Sequence, residues 1–339
     1  MGVAIGSIIN SEDISMGELE DRVVAIDAYN IIYQFLASIR QSDGKPLVDS
    51  QGRVTSHLSG LLFRNANMLE TGIKLVYVFD GKPDMMKEGT LEKRKERKLK
   101  AEQEYRDALK EGDLERARTK AQQTSRMSND ILESSDRILK LMGIPVVYAP
   151  AEGESQAAYM TLKGDAWACG SQDFDSLLCG SPRLVRNLTV TGKRKLPGRN
   201  EYKEVTPEMI ILEEVLDELG ITREQLVDIA IMCGTDYNQG IKGIGPKRGL
   251  EYIKKHGDLE GVLEERDEAV NNYDEIRKLF LEPKIAEHYE LNFQSPQLEE
   301  LKEFLIKEHD FTRERIRTVL DKLSTVADDK KQSKLFSFG

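Results

Sequence analysis

Four apolar stretches of this chain each run out onto acid. Asp27 closes RVVAID, Asp80 closes IKLVYVFD, Glu152 and Glu154 follow IPVVYA, and Asp173 and Asp175 stand in SQDFDSLL after DAWACG. One such aspartate is the ordinary cap or turn residue of an α/β connection. Four strand ends doing it together point instead to a single acidic cluster. Glu152 and Glu154 sharpen the problem, because only Gly153 divides them and no basic residue stands beside them. Carboxylates gathered in one pocket cannot all stay ionised without compensation, so some must hold their protons more tightly. A hard divalent cation removes that conflict; Mg²⁺ binds few carboxylates directly and keeps several waters. Two such ions roughly 4 Å apart generate hydroxide at one and steady the leaving oxygen of a phosphoryl group at the other.

The elements that must position these acids are legible from period and composition. The four apolar runs are rich in β-branched and aromatic residues and read as strands, with helical patterns between them. In Ser56 to Leu69, for example, Leu58, Leu61, Leu62, Ala66 and Leu69 fall on one helical face. Strands alternating with helices predict an α/β fold: a mostly parallel central sheet with helices on both faces. In such sheets ligands sit beyond the carboxyl ends of the strands, where these acids are.

The 339 residues are 39% hydrophobic, enough for a sizeable core, and no run approaches the roughly eighteen apolar residues of a membrane span. The N-terminus MGVAIGSIIN is not patterned as a signal peptide, and the three cysteines are too few and wrongly spaced for zinc. The expectation is an intracellular, cytoplasmic protein. A net charge of −10 argues against a nucleic-acid partner on average, but it fits an acidic site inside a basic track.

Basic residues do gather in segments. Residues 81 to 127 are dense in both signs of charge and read as a solvated helical hairpin with i,i+4 ion pairs. Within it Lys87 and Arg94 are two helical turns apart and would share a face, close behind Asp80, with Gly89 delaying or bending the helix. TGKRKLPGR at 191–199 reads as a β-hairpin loop. CGTDYNQGIKGIGPKRGL carries Asp236 and then Gly243-Ile244-Gly245, a tight turn, with Pro246 at a helix start flanked by Lys247 and Arg248. Amides at that helix N-terminus can hold a phosphate without reading a base. The tail, STVADDKKQSKLFSFG, is polar until Leu335, Phe336 and Phe338, as in a peptide that docks in an apolar groove.

As a set, AIDAYNIIYQFL, TSHLSGLLFRN, YVFDGKP, PAEGESQAAYM, SQDFDSLL and GTDYNQGIKGIGPKR resemble, in order and over nearly the full length, the flap endonucleases of the 5′ nuclease superfamily, in their archaeal form. The resemblance implies a two-metal site of seven acids carried by Asp27, Asp80, Glu152, Glu154, Asp173, Asp175 and Asp236, holding two Mg²⁺. It implies Lys87 and Arg94 at the scissile phosphate from the base of a helical arch, and Tyr33 stacking near the reacting nucleotide. It implies further DNA contacts at Thr55 and Arg64. The G-I-G-P-K-R segment resembles a helix–two-turn–helix gripping duplex backbone through Gly243, Gly245, Lys247 and Arg248, with K⁺ as an added ligand. Gly2 matches a family N-terminus near the site. The tail resembles a sliding-clamp-binding peptide with Gln332, Leu335, Phe336 and Phe338, although Gly339 stands where a second aromatic is usual.

The implied organisation is one nuclease fold over 1–325: an N-terminal part (about 1–98), an arch (about 82–127), an internal part (about 124–260) and C-terminal helices (about 261–325). Residues 326–339 form a flexible tail. The implied activity is Mg²⁺-dependent cleavage of branched DNA bearing a 5′ flap, with associated 5′–3′ exonuclease action, in Okazaki fragment maturation and base excision repair, by a monomer. A phosphatase using Asp27 as nucleophile is disfavoured, since Tyr29 stands where its second acid would be. Two rival activities stay open: a resecting exonuclease, and a clamp-associated binding module with vestigial acids. Loss of an acid would favour the module, and none of the seven is missing.

Overall fold

The computed structural model describes residues 2–82, 85–190, 193–195 and 202–336. The strands are β1 (Glu12–Asp13), β2 (Val23–Asp27), β3 (Lys74–Phe79), β4 (Val146–Tyr148), β5 (Ala168–Gly170), β6 (Arg183–Arg186), β7 (Lys193–Lys195), β8 (Tyr202–Glu204) and β9 (Glu208–Ile211). Seven of them form one sheet in the order β1-β9-β6-β5-β2-β3-β4. The five strands β6-β5-β2-β3-β4 are parallel; β9 joins β6 antiparallel, and β1 pairs antiparallel with β9 at the edge. The four expected strands are adjacent, in the order β5-β2-β3-β4, and β4 forms one edge of this sheet. β7 and β8 pair antiparallel apart from the main sheet, so 193–195, expected in a hairpin loop over 191–199, are strand; the rest of that segment lies outside the described residues.

Strand alternation divides the core in two. Val24 and Ile26 face one side with Leu75, Tyr77 and Phe79, while Ala25 faces the other with Val76 and Val78. The first face is covered by α1 (Ala28–Ser38), α2 (Ser56–Glu70) and the later α5 (Asn129–Leu141). α3 (Glu88–Glu111) and α4 (Leu114–Gln122) stand between them in the chain and form the expected hairpin. The second face is covered by α6 (Gly153–Leu162), α7 (Asp175–Leu178), α8 (Leu212–Leu219), α9 (Arg223–Cys233), α10 (Pro246–His256), α11 (Leu259–Arg266) and α12 (Tyr273–Leu281). α13 (Leu298–Glu303) and α14 (Arg313–Phe336) return to the first face through Leu301, Ile316, Val319 and Leu323. Among the described residues no helix is long and apolar enough to cross a membrane.

Three details differ from expectation. Lys87 lies in a short 3₁₀ turn, Met85–Lys87, ahead of α3, so it does not share an α-helical face with Arg94; Gly89 neither delays nor breaks α3, which starts at Glu88. The described arch ion pairs are mostly cross-hairpin, Lys120 with Glu104 and Arg126 with Glu102, rather than i,i+4. Finally, α14 continues unbroken through Phe336 where a flexible tail from 326 was expected. Residues 313–336 contain neither Gly nor Pro, and buried Leu323 and Ala327 anchor the middle of the helix.

Candidate active site

Each strand-ending acid has a local reason for its place. Asp27 is the last residue of β2 and the N-cap of α1, and its Oδ1 accepts the Asn30 amide at 3.0 Å. The capping role and the cluster role therefore coincide. Asn30 reaches further: its Nδ2 donates to Asp173 Oδ2 (2.9 Å), and its Oδ1 accepts the Gln172 amide (3.1 Å). Ser171 bridges the same two acids, its hydroxyl 3.5 Å from Asp27 Oδ2 and accepting the Asp173 amide at 3.2 Å. On the far side, Asp175 opens α7 and accepts the Val3 amide at 2.7 Å, and Gly2 packs against Asp173 and Asp175.

The Glu-Gly-Glu motif is explained by Asp80. The Gly153 amide donates to Asp80 Oδ1 at 2.7 Å. A Cβ at Gly153 would lie 2.8 Å from that oxygen and 3.0 Å from the Val78 carbonyl, so the backbone of β3 and the start of α6 can meet only at glycine. The glycine between the two glutamates is thereby tied to Asp80. Asp236 arrives differently, from the loop after α9, and is bound to the others through Lys87. Lys87 Nζ lies 2.5 Å from Glu152 Oε2 and 3.8 Å from Asp236 Oδ2.

The electrostatics are those of a crowded anionic basin. Burial pushes Asp27 up to about 6; the Asn30 amide and a hydrogen bond with Glu154 oppose this, and the charges of Asp173 and Glu152 add to it. Asp80 is raised to about 7 by burial, then by Asp27 and Glu152. Asp175 reaches about 7 through burial, against the Val3 amide, with Asp173 and Asp236 contributing. Glu154 stands well above its ordinary value, through burial and then Asp175, Asp27 and Asp173. At Lys87, burial works against the ammonium, but Glu152, Glu154 and Asp236 outweigh it and hold its proton more tightly than usual. All seven acids are thus coupled by hydrogen bonds or charge into one site. Among the described residues no three His, Cys, Asp or Glu side chains converge to a single ligating point. The acids ring a basin with a lysine in it. Such a spread all-oxygen donor set suits a hard cation held largely through its own waters, and not a soft or tightly caged ion.

Other sequence-derived candidates lie around this basin. Tyr33, on α1, is half-buried, and the Lys98 ammonium of the arch lies 5.1 Å from its ring centroid. Thr55 is buried at the N-cap of α2, its amide bonded to the Leu47 carbonyl, whereas Arg64 is half-buried on the same helix. The glycine turn forms as expected. Gly243 has φ +81, Gly245 is the N-cap of α10 with Pro246 following, and Arg248 Nη1 donates to the Gly243 carbonyl at 3.0 Å. Buried Ile241 and Ile244 anchor the turn while Lys247 and Arg248 are exposed. The side chains of Arg94, Gln332, Leu335 and Phe336, and the whole of Phe338, lie outside the described residues. Sequence reasoning passed over Asn30 and Tyr237, whose ring lies 5.3 Å from Lys87 Nζ; both stand inside the motifs above, three residues after Asp27 and one after Asp236.

A mostly parallel sheet whose carboxyl edge gathers acids around a lysine, in a chain that also carries an exposed basic glycine turn, has the architecture of an α/β nuclease. The XPG N-terminal domain matches residues 4–101 and the XPG I-region residues 143–236; together they enclose all seven acids. Flap endonuclease 1 of Pyrococcus furiosus is 51% identical over 339 residues, covering 100% of this chain and 99% of that protein. The solved flap endonuclease-1 of Methanococcus jannaschii superposes with a TM-score of 0.77 at 43% identity, over 97% of this chain and 100% of its own. The catalytic core of Rad2 in complex with DNA substrate has the same fold, with a TM-score of 0.68 at 23% identity over 94% of this chain and 97% of that one. The chain belongs to the flap endonuclease family of 5′ nucleases, and with it to the enzymes that hydrolyse phosphodiester bonds.

Proposed function

We propose that the chain cleaves branched DNA bearing a 5′ flap near the junction of single strand and duplex, using divalent cations held by its acidic basin. The observation that carries this reading is the gathering of seven mutually coupled acids, from four strand ends and the loop after α9, into one basin that contains Lys87. Asp27, Asp80, Glu152, Glu154, Asp173, Asp175 and Asp236 would hold two Mg²⁺. When bound, these ions activate water for in-line attack and stabilise the leaving 3′ oxygen. The protein's own groups do the rest. Lys87, joined by Arg94, supplies positive charge to the phosphate from a largely buried position, where it counts for more than in bulk solvent. Tyr33 offers a ring face to a base.

Binding is assigned to separate surfaces. The exposed amides and cations of Gly243, Gly245, Lys247 and Arg248 would grip duplex backbone without reading sequence, with K⁺ at the turn carbonyls. Arg64, and the loop that Thr55 anchors ahead of α2, would meet a second stretch of DNA. The single strand would pass the charged arch. Gln332, Leu335, Phe336 and Phe338 would engage a sliding clamp, a reading supported by their spacing alone. A monomer working inside the cell in Okazaki fragment maturation and base excision repair completes the proposal.

The test uses a 5′-labelled flap beside single-stranded and plain duplex controls of the same sequence, each with Mg²⁺ and then with EDTA. Cutting near the junction with metal only is expected. Stepwise loss from recessed duplex ends would move the enzyme to the exonuclease branch. Tight binding without cutting in any divalent ion would overturn the proposal.

A further inference from the structure

Lys87 stands within the acidic basin, not at its rim. Its side chain is only 15% exposed and contacts Glu152 and Asp236, while its charge also acts on Glu154, Asp80 and Asp175. The Tyr237 ring faces the ammonium at 5.3 Å and is itself held edge-on against Phe280, with centroids 5.8 Å apart. The lysine is therefore seated between an aromatic face and two carboxylates, as a bound cation would be. A group so compensated is not free to serve a phosphate. To meet one it must give up Glu152. Any second cation that takes Glu152 and Asp236 makes that release favourable, and the competition is reciprocal by linkage.

We propose that Lys87 is the resident counter-ion of the acidic basin, and that divalent cation binding and the departure of Lys87 from Glu152 and Asp236 are a single exchange. The inference rests on the divalent-cation reading of the site and adds an event that precedes DNA. It orders the site's assembly. An enzyme without its cation keeps its electrophile locked against its own acids, and cation loading turns the lysine out toward the substrate phosphate. The same exchange weakens the enzyme's hold on the metal, since part of the binding free energy goes into displacing an ammonium already in place.

The experiment is a Mn²⁺ titration of the DNA-free protein, followed by the electron paramagnetic resonance signal of unbound Mn²⁺. Wild type is compared with Lys87→Met, which keeps an unbranched apolar stem and loses the charged end, and with Lys87→Arg, which keeps charge. Lys87→Met should bind Mn²⁺ at least about fivefold more tightly, the lower end of ordinary site–site coupling, and Lys87→Arg should stay near wild type. Tyr237→Leu removes the ring that seats the lysine while leaving every acid in place; its affinity should rise about twofold or more, and it decides the matter if Lys87→Met does not fold. Equal or weaker Mn²⁺ binding in Lys87→Met overturns the exchange and leaves the divalent reading standing. No Mn²⁺ binding by any of the proteins overturns both.

Discussion

The acidic basin and the arch are built by opposite means. In the basin, Asp27 and Asp175 are 5% and 8% exposed, and each acid is fixed by a backbone amide or a neighbouring side chain. The result is electrostatically frustrated: the fold forces together groups that repel, and several hold their protons to a higher pH than an ordinary carboxyl would. In the arch, α3 and α4 meet through buried Ala101, Ala108, Ala117 and Ala121, with Leu99 left exposed. Alanines bury little apolar area, so this seam contributes little beside the leucine, isoleucine and phenylalanine packing under the sheet. Charges there are paired across the hairpin, Lys120 and Glu104 half-buried and Arg126 exposed. Chemistry needs placement to a fraction of an ångström and accepts electrostatic cost for it. Contact with a flexible strand needs charge on a surface that can adapt.

The sharpest break in this comparison is Gly153→Ala. A methyl 2.8 Å from Asp80 Oδ1 must push Asp80 or α6 aside, and displacement of that order at a reacting centre costs about 10²-fold in single-turnover rate, with DNA affinity held. The second prediction concerns pH. Ordinary carboxyls titrate near ~4, whereas native Asp27 titrates at about 6 and Asp80 and Asp175 at about 7. Between those values the folded state holds more protons than the unfolded one, so stability falls as pH rises. Protein kept in EDTA should lose several kcal/mol from pH 5 to pH 8 in urea unfolding. Mg²⁺ should restore most of that at pH 8 and little at pH 5. The smallest effect belongs to the gripping surface. Lys247→Ala should weaken duplex binding by about 1 kcal/mol and reduce the salt slope of affinity by about one, with the cutting rate at saturation unchanged.

Much of the basin was legible because strands announce themselves by composition and end where their apolar run ends. Asp27, Asp80, Glu152, Glu154, Asp173 and Asp175 follow from that rule alone. Asp236 does not: it comes from a helix end, and only the motif around it brought it in. The antiparallel edge escaped notice because β1 (Glu12–Asp13) has no apolar residue, and β9 and its partner β6 open on charged residues outside any longer apolar run. The pairing of Lys87 with Glu152 spans 65 positions, and the reach of Gly153 to Asp80 spans 73; such contacts exist only once the sheet is closed. The sequence shows a glycine between two acids. Its purpose appears only when β3 lies beside it.

The separation of cutting from gripping is tested most directly by Asp175→Asn, a change that keeps an oxygen for the Val3 amide and removes the charge. Flap affinity and single-turnover cleavage would be measured on the same preparation at saturating Mg²⁺. Cleavage is predicted to fall at least about 10³-fold, the scale of losing a main stabiliser of transition-state charge, with the dissociation constant within about threefold of wild type. Cleavage that survives, or affinity that falls in step with it, would contradict the account.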